Sequence, residues 1–79
     1  MIGVTFEIKY DSDYQTRYTK LYEVFRNFGL LEARTTSSVF LNTDQLETVH
    51  TALYSALDWQ KDKAFSFIVS PHLVKQLGL

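Results

Sequence analysis

Apolar side chains at Ile2, Val4, Phe6, Ile8 and Tyr10 alternate with Gly3, Thr5, Glu7 and Lys9. A period of two belongs to a strand with one buried face. Residues 2–10 are therefore predicted to be a strand, with Glu7 on the face turned from the core. Asp11, Ser12 and Asp13 then offer helix-capping side chains. From Tyr14 the apolar spacing changes to three and four: Tyr14, Tyr18, Leu21, Phe25 and Phe28 form one helical stripe over 14–28. Arg17, Lys20, Glu23 and Arg26 fall largely outside it, and Gly29 suits the left-handed residue after a helix.

Residues 30–42 favour extended backbone through Thr35, Thr36, Val39 and Phe40. Ser37 and Ser38 mark either a turn between two short strands or a bend within one; a hairpin is the reading adopted. Asp44, with Glu47 three residues on, opens a second helix over 44–58, whose stripe is Leu46, Val49, Leu53 and Ala56 or Leu57. Residues 58–63 turn the chain, and 64–69 read as a last strand with Phe65, Phe67 and Val69 on one face. Ser70 and Pro71 suit the start of a short terminal helix over 72–79.

The order strand, helix, strand, strand, helix, strand predicts one α+β domain over 1–79, a ferredoxin-like βαββαβ sandwich. Its sheet is antiparallel and both helices lie on one face, leaving the other to solvent, a ligand or a second chain. The expected core is Phe6, Leu21, Phe25, Phe28, Val49, Leu53 and Phe67.

Composition adds a reason to expect self-association. A chain of 79 residues buries a modest fraction of its surface and commonly needs a disulfide, a metal or a partner. Cysteine is absent and there are two histidines, so disulfides are excluded and a structural zinc site is disfavoured. Six Phe, five Tyr and one Trp suit both a dense core and an interface, and a homodimer is expected. No stretch is long and apolar enough to span a membrane. The alternating first ten residues do not read as a secretion signal, so a cytoplasmic location is expected. A net charge of −1 argues against unspecific nucleic-acid binding but leaves a local site open.

Candidate chemistry centres on Glu7. It reads either as a solvated strand residue or as a carboxylate that holds a divalent ion, shared between two subunits. Asp11 and Asp13 read as helix caps, and His50 and His72 as surface residues without partners for acid–base work. Glycines at 3, 29 and 78 make no phosphate loop. Tyr14, Tyr18 and Tyr22 could stack on bases, but their helical spacing favours core or interface positions.

Several segments, in order over about residues 2 to 69, resemble the virulence-associated protein D (VapD) family. They are Val4-Thr5-Phe6-Glu7-Ile8, a Tyr-rich helix ending in Phe28-Gly29-Leu30, Ser38-Val39-Phe40-Leu41-Asn42, Ala56-Leu57-Asp58-Trp59 and Lys63-Ala64-Phe65-Ser66-Phe67. That family is similar in fold to the small CRISPR-associated adaptation proteins, which are ferredoxin-like, dimeric and in several members endoribonucleolytic. The resemblance implies an acidic residue at the end of the first strand, usually Asp; Glu7 stands there, one methylene longer.

Two functions are thus expected. The first is a metal-assisted endoribonuclease of the kind associated with toxin–antitoxin systems, with Glu7 as catalytic and metal-binding residue and Mg²⁺ or Mn²⁺ as cofactor. Lys9 and Arg34 are its candidate RNA contacts, chosen for charge and strand location. The second is a non-catalytic dimeric interaction protein, such as an inhibitor or antitoxin-like partner of phage or mobile-element origin.

Overall fold

The computed structural model describes residues 1–75; the side chains of residues 32–34 lie outside the described residues. The chain runs β1 (Ile2–Glu7), α1 (Tyr14–Asn27), β2 (Leu30–Thr35), β3 (Ser38–Leu41), α2 (Leu46–Ala56) and β4 (Lys63–Ile68), closed by a 3₁₀ turn at Pro71–Leu73. One four-stranded sheet has the order β2-β3-β1-β4 with antiparallel neighbours. This is the ferredoxin-like α+β arrangement that the alternation of periods predicts.

Alternation along β1 explains the layering. Ile2, Val4 and Phe6 turn inward to meet Leu21 and Phe25 of α1, Val49 and Leu53 of α2, and Val39 and Leu41 of β3. Eight of these side chains are essentially sealed from water, Phe25 the largest of them. Each such burial contributes about 1.5–3 kcal/mol before the entropic cost of ordering is set against it.

Four expectations are corrected. The first strand ends at Glu7, not residue 10, because the backbone of Lys9 leaves the ladder to bond the side chains of Asp62 and Arg17. Phe67 is not a core residue: it pairs with Gly3 on the uncovered face and is 43% exposed. Phe65, Phe67 and the outward residues of β1 share that face, while Ala64 and Ser66 take the inward positions. Phe28 is half-buried at the rim. The expected terminal helix is a single 3₁₀ turn as far as residue 75, and residues 76–79 lie outside the described residues.

The caps also differ from expectation. Asp13 occupies the N-cap of α1 but makes no capping bond with its side chain. Its own N–H is instead held by the Asp11 carboxylate at 2.9 Å. The second helix starts at Leu46 after Gln45, so Asp44 sits outside the cap. Gly29 does take the left-handed conformation, at φ 81°. The hairpin is present, turning at residues 36–37 between β2 and β3.

Candidate functional site

Glu7 is the last residue of β1 and is exposed on the uncovered side of the sheet. Its register partner is Lys63, the first residue of β4, and the preceding outward pair is Thr5 with Phe65. On the other side of β1, the Phe6 N–H bonds the Ser37 carbonyl at 2.9 Å. These pairings enclose a cleft of about 230 Å³ lined by Thr5, Phe6, Glu7, Ser37, Lys63 and Phe65. It joins one carboxylate, one ammonium, two hydroxyls and an aromatic ring. Such a set can bind a polar ligand with a flat apolar part.

Beyond the cleft the open face is aromatic. Phe40 and Phe67 pair with Gly3 from opposite sides, and Phe65, 70% exposed, follows along β4.

A second cluster, which sequence reading missed, lies just past Glu7. Arg17 is buried although charged, and its Nε donates to Asp62 Oδ2 at 2.9 Å. The Asp62 side chain is fully sealed. It also accepts the backbone N–H groups of Lys9 at 3.0 Å and Asp58 at 2.9 Å. Arg17 Nη2 donates to the Lys9 carbonyl at 2.9 Å, and Nη1 reaches Asp11 at 3.1 Å. Lys61 Nζ binds the other Asp11 oxygen at 3.2 Å. One guanidinium therefore ties the β1–α1 segment to the turn before β4. The fork suits this role because its donors are fixed in a plane.

Electrostatics follow from these bonds. The Arg17 guanidinium holds the Asp11 carboxyl at about 2, against an ordinary 3.8, with help from Lys61 and the Asp13 N–H. The same bond to Asp11 raises Arg17 above its usual value. Burial pushes the Tyr22 hydroxyl up to about 12, with the neighbouring Tyr18 adding to the shift.

Of the residues singled out in the sequence, Glu7 lies in the cleft. The Lys9 side chain is exposed, while its backbone belongs to the Arg17–Asp62 cluster. The Arg34 side chain lies outside the described residues. The sequence did carry a signal for Arg17. It stands four residues before Leu21 and eight before Phe25, on the stripe that is buried.

Among the described residues no group of three or more His, Cys, Asp or Glu is arranged to hold a metal ion. No helix among them is long and apolar enough to cross a membrane.

No family model matches the chain, and neither does any curated protein sequence. Solved structures do. A hypothetical protein, TT1823, from Thermus thermophilus superposes with a TM-score of 0.76 at 25% identity, covering 99% of this chain and 89% of its own. Cas2 from Streptococcus pyogenes superposes with a TM-score of 0.76 at 14% identity, covering 98% of both chains. The chain therefore shares the Cas2 fold over nearly its whole length. At 14% identity that likeness speaks for the fold alone.

Proposed function

We propose that this chain is a homodimeric, metal-assisted endoribonuclease of the VapD type, working in the cytoplasm as a toxin–antitoxin component. The observation that carries the reading is the position of Glu7. In a Cas2-like fold it closes the first strand, in a cleft that also holds Lys63, two hydroxyls and an aromatic ring.

One chain supplies one carboxylate to this cleft, which does not by itself fit a divalent ion. Two chains would fit better. Mg²⁺ is commonly held by one or two carboxylates, with water and substrate phosphates completing its shell. Packing the open faces about a two-fold axis would cover Phe40, Phe65 and Phe67 and bring the two Glu7 side chains toward each other. The pair of Glu7 carboxylates would hold Mg²⁺ or Mn²⁺, and the bound ion would supply an activated water and charge neutralisation at the phosphodiester. Lys63 would attract a phosphate to the cleft, and Lys9 and Arg34 are further candidate contacts.

The test is cleavage of RNA by purified protein with Mg²⁺ or Mn²⁺, alongside its mass in solution. The expected results are a dimer of twice the 9.2 kDa chain mass and cleavage that stops with EDTA or Glu7→Gln. Glu7→Asp, which sets the family's usual residue there, should keep or raise activity. Cleavage by Glu7→Gln equal to wild type overturns the mechanism.

The pairing of Glu7 with Lys63 favours a second reading, a non-catalytic dimer that binds a protein partner. A cation set opposite a carboxylate across two strands offsets part of its charge, which lowers the demand for a metal there. Absence of cleavage by both the wild type and Glu7→Asp would support that reading.

A further inference from the structure

The two charged residues of the cleft, Glu7 and Lys63, form the last pair of the β1–β4 ladder. Strand ends are where a ladder opens most easily. Here the chain on both sides of that pair is tied down by one carboxylate. Asp62 directly precedes Lys63, and its Oδ1 accepts the N–H of Lys9, two residues past Glu7, at 3.0 Å. Its Oδ2 accepts the Arg17 Nε–H and the Asp58 N–H, each at 2.9 Å. The Asp62 backbone is held as well, since its N–H donates to the Asp58 carbonyl at 2.7 Å. Arg17 completes the clamp by donating from Nη2 to the Lys9 carbonyl at 2.9 Å.

A buried ion pair is a costly way to stabilise a fold, because apolar residues of similar volume often do as well. What this pair supplies is position. Its bonds run to the backbone just outside the Glu7–Lys63 pair, on the β1 side at Lys9 and on the β4 side at Asp58. The Asp62 side chain is sealed from water, so solvent does not compete for those bonds. Reacting groups need such support, because a misplacement of about 1 Å can cost about a hundred-fold in rate.

We propose that Asp62 is a positioning residue of the cleft. Held by Arg17, it keeps Glu7 level with Lys63 by fixing the chain where β1 ends and β4 begins. The proposal rests on the endoribonuclease reading of Glu7 and adds to it a residue that acts through Glu7 without touching RNA.

The test compares three variants of the full chain with the wild type, below their melting transitions. Asp62→Asn keeps the size but loses the charge and one acceptor oxygen. Arg17→Lys keeps the charge but has no fork to span Asp62 and the Lys9 carbonyl. Val49→Ala is the control, since it removes buried core volume in α2, away from the clamp. Two quantities are read: the cross-strand nuclear Overhauser contacts of the Glu7–Lys63 and Gly3–Phe67 backbone pairs, and the rate of RNA cleavage at fixed Mg²⁺. Asp62→Asn and Arg17→Lys should lose the Glu7–Lys63 contact, keep the Gly3–Phe67 contact and cut RNA about ten-fold more slowly or worse. Val49→Ala should melt earlier but keep both contacts and the wild-type rate. If wild type and Asp62→Asn cut RNA equally well, the positioning role is wrong and the nuclease reading stands. If Val49→Ala slows cleavage as much as Asp62→Asn, the loss follows stability rather than position, and the proposal is overturned. Retention of the Glu7–Lys63 contact in both clamp variants overturns it too. If Asp62→Asn does not fold, Arg17→Lys decides by the same two readouts. If wild type cuts no RNA, the nuclease reading fails and takes the positioning role with it.

Discussion

The ring of Phe67 lies over Gly3, so that a Cβ placed on Gly3 would stand 2.6 Å from Phe67 Cε2. Phe40 approaches from the other side, at 3.2 Å. The missing side chain is what lets two rings lie down across the middle strand. Gly3→Val should therefore lift both rings. The cost to the fold should be small, because ring ends can swing outward and Val favours strands. The flat aromatic surface is lost, so the proposed dimer should weaken at least ten-fold by sedimentation or light scattering. A Gly3→Val dimer as tight as wild type would remove this face from the interface.

Phe25 and Phe67 should respond very differently to truncation. Phe25 is completely buried, so Phe25→Ala should cost about 3–5 kcal/mol in urea unfolding. Phe67→Ala should cost well under half of that within one chain, because the ring is 43% exposed. Equal losses at low concentration, where chains are separate, would contradict the layering described above.

Asp62→Ala should be among the more damaging loop substitutions, because its side chain is sealed from water. It leaves the Lys9 and Asp58 N–H groups without their acceptor. Each buried donor left unpaired costs about 1–3 kcal/mol. Hydrogen exchange is a direct readout: the Lys9 and Asp58 amides should exchange faster in the variant, while those in the middle of β1 should change less. Unchanged protection at Lys9 would show that Asp62 does not hold the loop.

Asp11 should make stability depend on acid. Its carboxyl is held at about 2 in the folded chain, against 3.8 when free, mainly by the Arg17 guanidinium. A depressed folded value contributes stability above the unfolded value and loses it as pH falls through the folded one. The loss should fall between about pH 4 and pH 2. Asp11→Asn has no such proton to take up. Its melting temperature should fall less than that of the wild type across this window, although it starts lower at pH 7. Parallel curves would show that Asp11 is not coupled to folding.

Much of the fold was legible because periodicity is a local property. The switch from two to 3.6 between β1 and α1, and back again at β4, follows from backbone geometry that each segment carries alone. Gly29 marked the end of α1 for the same reason, since its positive φ is a property of one residue. The outward face of Glu7 was legible too, because alternation alone decides it, whereas the end of the strand at that residue was not.

The partners of these residues were decided only by the tertiary structure. Alternation groups Phe65 and Phe67 on one face but does not say whether helices cover it. The register of β4 against β1 settles that, setting Phe67 over Gly3 and Phe65 beside Thr5 on the bare side. Arg17 and Asp62 are 45 residues apart, and no local pattern joins them. Arg17 was read as lying outside the apolar stripe and Asp62 as part of a polar turn. Chain closure brings the β1–α1 segment against the turn before β4, and there two opposite charges can leave water together because each satisfies the other and the backbone of Lys9. Local sequence thus determined which residues form each element, while long-range packing decided which faces stayed open and which charges were buried.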